Sequence, residues 1–310
     1  MLDHLLTDHL LTDHLLTEQV NPNSIDIDTR PSLEIAGILN QEDRKVATAV
    51  ETTLPQIARA VDAVVRAVQA GGRLFYIGAG TSGRLGVLDA VECPPTFGVS
   101  PDLVQGIIAG GEAALARATE ATEDDPESGK SDLLARGFAS GDVLVGIAAS
   151  GRTPYVLGAV RAARKMSAVT VGISCTQDSE LARLVDIPIT PLTGPEAIAG
   201  STRLKAGTAT KMVLNTISTA AMIRLGYVYG NLMVNVQPRN AKLRARARRI
   251  IAGACGVSPE RAAELLAQSG QSVKTAIVMG LLGLDRLAAE ARLAEATGSV
   301  SLALHGKSKS

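Results

Sequence analysis

The stretch Leu74-Phe75-Tyr76-Ile77-Gly78-Ala79-Gly80-Thr81-Ser82-Gly83-Arg84 joins a short apolar run to a loop of glycines and hydroxyls. A run that is apolar on both faces and ends at glycine reads as a buried strand, and the loop after it as the turn into a helix. The same arrangement recurs downstream, where Leu103 to Ile108, Val143 to Ala148, Ala168 to Ser174 and Ile187 to Ile189 are short apolar runs separated by glycine loops and helical patterns. Strands of this kind linked by helices predict an α/β fold whose parallel sheet is covered on both sides.

Outward from the sheet the chain reads as helical. Asn21 to Pro31 is a polar linker, after which Ser32 is expected to cap a helix through Leu33, Ile35, Ile38 and Leu39. A longer amphipathic pattern runs from Val46 to Val68 and ends at Gly71-Gly72, with Pro55 expected to kink or restart it. Small residues mixed with apolar ones from Arg203 to Leu225 predict a closely packed central or dimer-facing helix. Beyond Asn240 the pattern stays helical: a basic stretch from Arg244 to Arg249, Ser258-Pro259-Glu260 as a cap, then Val273 to Leu293. The expected organisation is an arm over 1–20, a domain with N-terminal helices over 21–240, a small helical bundle over 241–302, and a tail over 303–310.

Composition narrows the functional classes. The 310 residues carry 31 basic and 31 acidic side chains, with four Tyr, three Phe and no Trp. A neutral, aromatic-poor chain lacks the basic stripe and stacking platforms of a nucleic-acid binder. No apolar run approaches the ~18 residues that a membrane span needs. The amino terminus shows no secretory pattern, so a cytoplasmic protein is expected. Cys93, Cys175 and Cys255 show no paired spacing and read as buried thiols, neither a disulfide framework nor a zinc site. The arm holds three copies of Asp-His-Leu-Leu-Thr, at 3–7, 8–12 and 13–17. On a helix, five residues advance about 500°, so His4, His9 and His14 point apart and no metal is expected there.

Two loops follow predicted strands and could carry chemistry. The first offers Gly80, Thr81, Ser82 and Gly83; the second, Ala149-Ser150-Gly151-Arg152-Thr153-Pro154, offers Ser150, Gly151, Arg152 and Thr153. Each sets hydroxyls and unpaired backbone N–H groups at a helix start, where helix dipole and amides favour an anion such as a phosphate. No Gly-Lys-Ser/Thr follows either loop. Gly78, Gly80 and Gly83 fit the dinucleotide spacing, but no acidic residue closes the next strand. Histidine is absent from 15 to 304, so unless the repeat arm or His305 folds into the site, proton transfer in the core falls to carboxylates, Lys, Tyr or Cys. Glu92 stands just before Cys93-Pro94-Pro95, where the prolines are expected to stop the helix and leave the acid in an apolar setting that raises its proton affinity. A second acidic group comprises Glu120, Glu123, Asp124, Asp125 and Glu127, and the pattern does not choose among them.

Three long strings carry a resemblance. They are Leu-Phe-Tyr-Ile-Gly-Ala-Gly-Thr-Ser-Gly-Arg-Leu-Gly-Val-Leu-Asp-Ala-Val-Glu-Cys-Pro-Pro-Thr over 74–96, Gly-Ile-Ala-Ala-Ser-Gly-Arg-Thr-Pro-Tyr over 146–155, and Gly-Ser-Thr-Arg-Leu-Lys-Ala-Gly-Thr-Ala-Thr-Lys over 200–211. Together with Tyr229-Gly230-Asn231-Leu232-Met233-Val234, they resemble the N-acetylmuramic acid 6-phosphate etherases, single sugar-isomerase-type (SIS) domain enzymes. The resemblance implies a three-layer SIS-type sheet flanked by helices with a small C-terminal helical bundle. It also implies cleavage of the D-lactyl ether of N-acetylmuramic acid 6-phosphate, by elimination then water addition, in cell-wall sugar recycling. By motif, the proton donor falls on Glu92 and the second catalytic glutamate on Glu123. Substrate contacts fall on the two loops and on Ser201 and Lys205, with Ser82, Ser150 and Thr153 foremost as side-chain donors. No metal or organic cofactor, no nucleic acid and no membrane is implied, and a homodimer is expected. The chain departs from the family in its repeat arm and in Asn235, where an aspartate is common. The competing readings are a sugar-phosphate-binding regulator like the glucokinase regulatory protein, which resembles two such domains in tandem, and a phosphosugar isomerase, against which the missing core histidine argues.

Overall fold

Five short parallel strands, each returned by helix, form the centre of one of two units. The computed structural model describes residues 16–117, 122–238 and 240–306. The repeat copies with His4, His9 and His14 lie outside those residues except for Leu16 and Thr17, as do Glu120 and the last four residues. The first unit takes the residues up to Val91 and Asp102–Ser218; the second takes Glu92–Pro101 and the residues from Thr219 on.

The first unit opens with α1 (Ser32–Glu51) and α2 (Leu54–Gln69). Two expectations change here. Pro31, not Ser32, holds the cap position; its carbonyl accepts the Ile35 N–H at 3.0 Å, and Ser32 is already helical. Val46 and Val50 belong to the first helix, not the second. The break falls at Thr52-Thr53, whose hydroxyls donate to the carbonyls of Ala49 and Val50. Pro55, which has no N–H to extend α1, sits in the first turn of α2 and so restarts the helix.

The strands β1 (Leu74–Gly78), β2 (Val104–Ile108), β3 (Val143–Ile147), β4 (Val169–Ile173) and β5 (Ile187–Ile189) lie in the order β2-β1-β3-β4-β5, all parallel. Between them run α3 (Gly80–Phe97), α4 (Ala113–Ala116), α5 (Pro126–Ala135), α6 (Pro154–Lys165) and α7 (Glu180–Leu184), and α8 (Lys205–Arg224) follows. The apolar runs are strands because both faces are covered: Phe75, Tyr76, Ile77, Val143, Leu144 and Val145 are wholly buried. Phe75, Ile77 and Leu144 share a core with Val156, Leu157 and Val160 of α6 and with Leu133 of α5. At the strand starts, the buried Asp142 carboxylate accepts from the Arg73 amide and guanidinium and so ties β1 to β3. Asp89 of α3, also buried, accepts from Tyr76 Oη at 2.8 Å, Asn215 Nδ2 at 2.6 Å and Ser218 Oγ at 3.1 Å, which joins β1, α3 and α8. In this strand order the chain leaves β1 toward one edge and β3 toward the other, so a crevice opens at the carboxyl ends of those two neighbours.

The expectation that Pro94 and Pro95 stop α3 is corrected. The helix runs through both to Phe97. Prolines forfeit donors without forbidding helical φ, and the last turn closes through the Gly98 N–H on the Pro94 carbonyl at 2.8 Å.

The second unit is helical: α9 (Ala241–Cys255), α10 (Pro259–Gln268), α11 (Val273–Leu282), α12 (Arg286–Glu295) and α13 (Val300–His305). Asn240, Ser258, Ser272, Asp285 and Ser299 each cap a helix through the side chain. The run from Val273 to Leu293 is thus two helices, divided at Gly283, which adopts φ 67° as a left-handed C-cap. Ile251, Ala276, Ile277 and Val278 form its centre, with Val234 and Val236 against them. Asn235 donates Nδ2 to the Phe97 carbonyl at 2.6 Å, a bond that an ionised aspartate could not make.

Candidate functional site

The two glycine loops leave β1 and β3 side by side, since Gly78 pairs with Ile147 in the sheet register. In the first, α3 begins almost on the end of β1. A Cβ on Gly83 would lie 2.6 Å from the Gly78 carbonyl oxygen, and one on Gly78 would lie 2.7 Å from the Gly83 nitrogen. Only paired glycines permit that approach, and Gly80 turns the chain at φ +52°. Thr81 and Ser82, half-buried, ride on the first turn of α3, where the amides lack helical partners. Arg84 is held elsewhere, donating to the carbonyls of Leu115 and Arg117.

In the second loop Gly151 takes φ +67° and packs on Ser179, where any side chain would collide. Ser150 Oγ, half-buried, accepts the Arg152 N–H at 3.3 Å, while Arg152 itself is exposed. Thr153 occupies the N-cap position of α6 but does not cap it. Its hydroxyl donates to Glu123 Oε1 at 3.3 Å, and the Tyr155 N–H donates to the Glu123 carbonyl at 3.0 Å. Among the described members of the acidic run, the fold therefore holds Glu123 on the second loop. Asp125 instead caps α5, accepting the Glu127 N–H and the Ser128 hydroxyl, and that geometry holds its carboxyl below the usual range.

The start of α8 borders the first loop, since a Cβ on Gly207 would lie 3.6 Å from Thr81 Cγ2. Ser201 is half-buried just before it. The expectation that Lys205 offers its ammonium to substrate is corrected. Lys205 is 2% exposed and its Nζ lies 2.6 Å from Glu42 Oε2. Glu42, itself buried, also accepts from Lys45 and from Asn23. Burial alone would raise the Glu42 pKa, but the bonds from Lys205, Lys45, Asn23 and Asn21 overrule it and bring it down from 4.5 to about 2. Glu196, 1% exposed, accepts the backbone N–H groups of Lys205 and Ala206 at 2.9 Å each, so a carboxylate caps the positive end of α8. Close to it, Cys175 is pushed up to about 12 by burial, with Glu196 adding to the shift. Sequence reasoning missed Glu42, Glu196 and Asp89; their partners lie up to 163 residues away and no local spacing announces them.

Glu92 counts with the second unit and is exposed. Among the described residues the apolar enclosure expected around it is not formed. On the same helix Val91 is 58% and Leu88 47% exposed, while Cys93 is buried. Among the described residues, no group of three or more His, Cys, Asp or Glu is placed to hold a metal ion, and no helix is long and apolar enough to cross a membrane.

Residues 56–164 match the family model of the glucokinase regulatory protein N-terminal SIS domain. In fold the chain is similar to a Bacteroides fragilis protein described as a phosphosugar isomerase involved in capsule formation, with a TM-score of 0.52 and 17% identity over 68% of this chain and 99% of that one. Sheet order, loops and these likenesses define an SIS-type domain. The sequence is 53% identical to the N-acetylmuramic acid 6-phosphate etherases of Salmonella dublin and Salmonella typhimurium strain LT2, over 92% of this chain and 96% of each relative. The chain belongs to the family of N-acetylmuramic acid 6-phosphate etherases, and it is an enzyme.

The buried ion pair has a measurable consequence. A carboxyl whose pKa falls on folding contributes stability above its unfolded value and loses it as pH falls through the folded value. Glu42→Gln is therefore expected to cost about 3 kcal/mol near pH 7, a gap that closes between pH 4.5 and about 2. Urea unfolding of both proteins across that range checks it, and a gap that does not change with pH contradicts it.

Proposed function

We propose that the etherase activity of this chain is carried by Glu92 and Glu123, acting on a phosphosugar whose phosphate rests on the first turns of α3 and α6. The observation that carries this reading is the position of Glu123: a carboxylate fastened to one of two adjacent loops whose hydroxyls, together with the amides that lack helical partners at the head of α3, suit an anion. Ser82 and Ser150 are the foremost phosphate donors, with the backbone of Gly80–Gly83 and Gly151–Thr153 around them. Lys205 acts from behind, fixing the start of α8 through Glu42.

The reaction converts N-acetylmuramic acid 6-phosphate and water to N-acetylglucosamine 6-phosphate and D-lactate. In the open-chain sugar the C1 aldehyde makes the C2 proton acidic. Glu123 takes that proton; the C–H electron pair becomes the C2–C3 double bond as the C3–O bond breaks. The lactate oxygen leaves with a proton from Glu92. Water then adds at C3 of the unsaturated aldehyde, giving its proton to Glu92, while Glu123 returns a proton to C2. The aldehyde is the electron sink, so the residues need only hold and move protons at stated atoms.

A homodimer completes the picture. Exposed Leu88 and Val91 beside Glu92 form an apolar face on α3, and a second copy covering it would enclose Glu92. Light scattering is expected to give twice the 32.1 kDa chain mass, and a monomer mass contradicts it.

The catalytic assignment is tested by D-lactate release from N-acetylmuramic acid 6-phosphate. Wild type is expected to release lactate, and Glu92→Gln and Glu123→Gln to lose at least a hundredfold in kcat, in the range for a positioned acid or base. No lactate from wild type, with N-acetylglucosamine 6-phosphate still bound, would indicate a sugar-phosphate-binding regulator. Full activity in either variant would remove that residue from the mechanism.

A further inference from the structure

Glu123 lies in a loop, and a loop carboxylate holds a catalytic angle only if something rigid holds the loop. The segment that carries it is fastened to α6 at several points, and three of them belong to one residue. The Tyr155 N–H donates to the Glu123 carbonyl at 3.0 Å. The Tyr155 carbonyl fills the space that a Cβ on Gly129 of α5 would need. The Tyr155 hydroxyl donates to Asp132 Oδ2 of α5 at 2.6 Å. One turn further along α6, Gly158 leaves room in the same way for the Pro126 carbonyl, so the two helices cross backbone on backbone.

From this geometry we propose that Tyr155 is a positioning residue for Glu123: its side chain, anchored on Asp132, sets the crossing of α5 and α6 and with it the Glu123 carboxylate that Thr153 orients. The proposal rests on Glu123 being catalytic. Tyr155 is wholly buried in the sheet-facing core with Val156 and Leu133, so the ring cannot leave its place without moving α6. Burial first, and the Asp132 carboxylate second, push its phenol well above the ordinary tyrosine range. The phenol therefore stays protonated and donates to Asp132.

Tyr155→Phe removes one hydroxyl and leaves the volume and both backbone contacts in place. It is expected to lower kcat for D-lactate release at least tenfold, with KM and the affinity for N-acetylglucosamine 6-phosphate changed less than twofold. Asp132→Asn keeps an acceptor for the phenol and is expected to retain most of kcat, whereas Asp132→Leu at this half-buried position follows Tyr155→Phe. Action through Glu123 also requires non-additivity: in a Glu123→Gln background, Tyr155→Phe is expected to change the residual rate less than twofold. Wild-type kcat in Tyr155→Phe with only a lowered Tm, or a full tenfold loss in both backgrounds, would overturn the proposal. Should Tyr155→Phe not fold, the Asp132→Asn and Asp132→Leu pair decides by the same kcat difference. Glu123→Gln alone separates the two levels: an active Glu123→Gln sinks the catalytic assignment, and an inactive one beside an unimpaired Tyr155→Phe sinks only the positioning role.

Discussion

Where α5 meets α6, two carbonyl oxygens stand in the space that side chains at Gly129 and Gly158 would fill, and at the head of α3 Gly78 and Gly83 touch in the same way. Direct backbone contact is the constraint on which the rest of the first unit depends. It brings helix starts within reach of strand ends, which sets the head of α3 and the hydroxyls of the second loop at the crevice between β1 and β3 and seats Glu123 on that loop. Such glycines carry a conformational cost of roughly 0.5–1 kcal/mol each in regular structure. The wholly buried strands offset it, since each large apolar side chain removed from water contributes about 1.5–3 kcal/mol.

Charge is distributed with the same economy. Two nearby cations are committed elsewhere, Lys205 to Glu42 and Arg84 to the carbonyls of Leu115 and Arg117, while Arg152 in the second loop is exposed. Glu196 caps α8, and Asp89 gathers Tyr76, Asn215 and Ser218 beneath it. The proposed anion cradle at α3 and α6 thus combines hydroxyls and the amides at the head of α3 with the exposed Arg152. Preorganised dipoles need not reorganise when a charged ligand arrives, which is the setting in which small donors are most effective.

Much of this was legible in the sequence because it is local. The apolar runs, the glycine loops and the Ser258 cap each state their structure within a few residues, and all five strands lie where the runs placed them. What was not legible is long-range. Nothing near Lys205 tells that its ammonium meets Glu42 across 163 residues, so it read as a substrate contact. Glu92 read as enclosed because prolines adjoin it, yet α3 continues through Pro94 and Pro95 and leaves the acid exposed. From the bare pattern, Glu123 was one of five acids. The resemblance to a family singled it out, and the fold gives an independent reason in the hydrogen bonds from Thr153 and Tyr155.

The two helix starts are proposed to hold the phosphate of the sugar. Calorimetric titration of N-acetylglucosamine 6-phosphate into wild type, Ser82→Ala and Ser150→Ala tests it most directly. A hydrogen bond to a charged group contributes about 1.5–3 kcal/mol, so each substitution is predicted to weaken binding at least tenfold. Affinities within twofold of wild type in both variants would contradict the account and place the phosphate elsewhere.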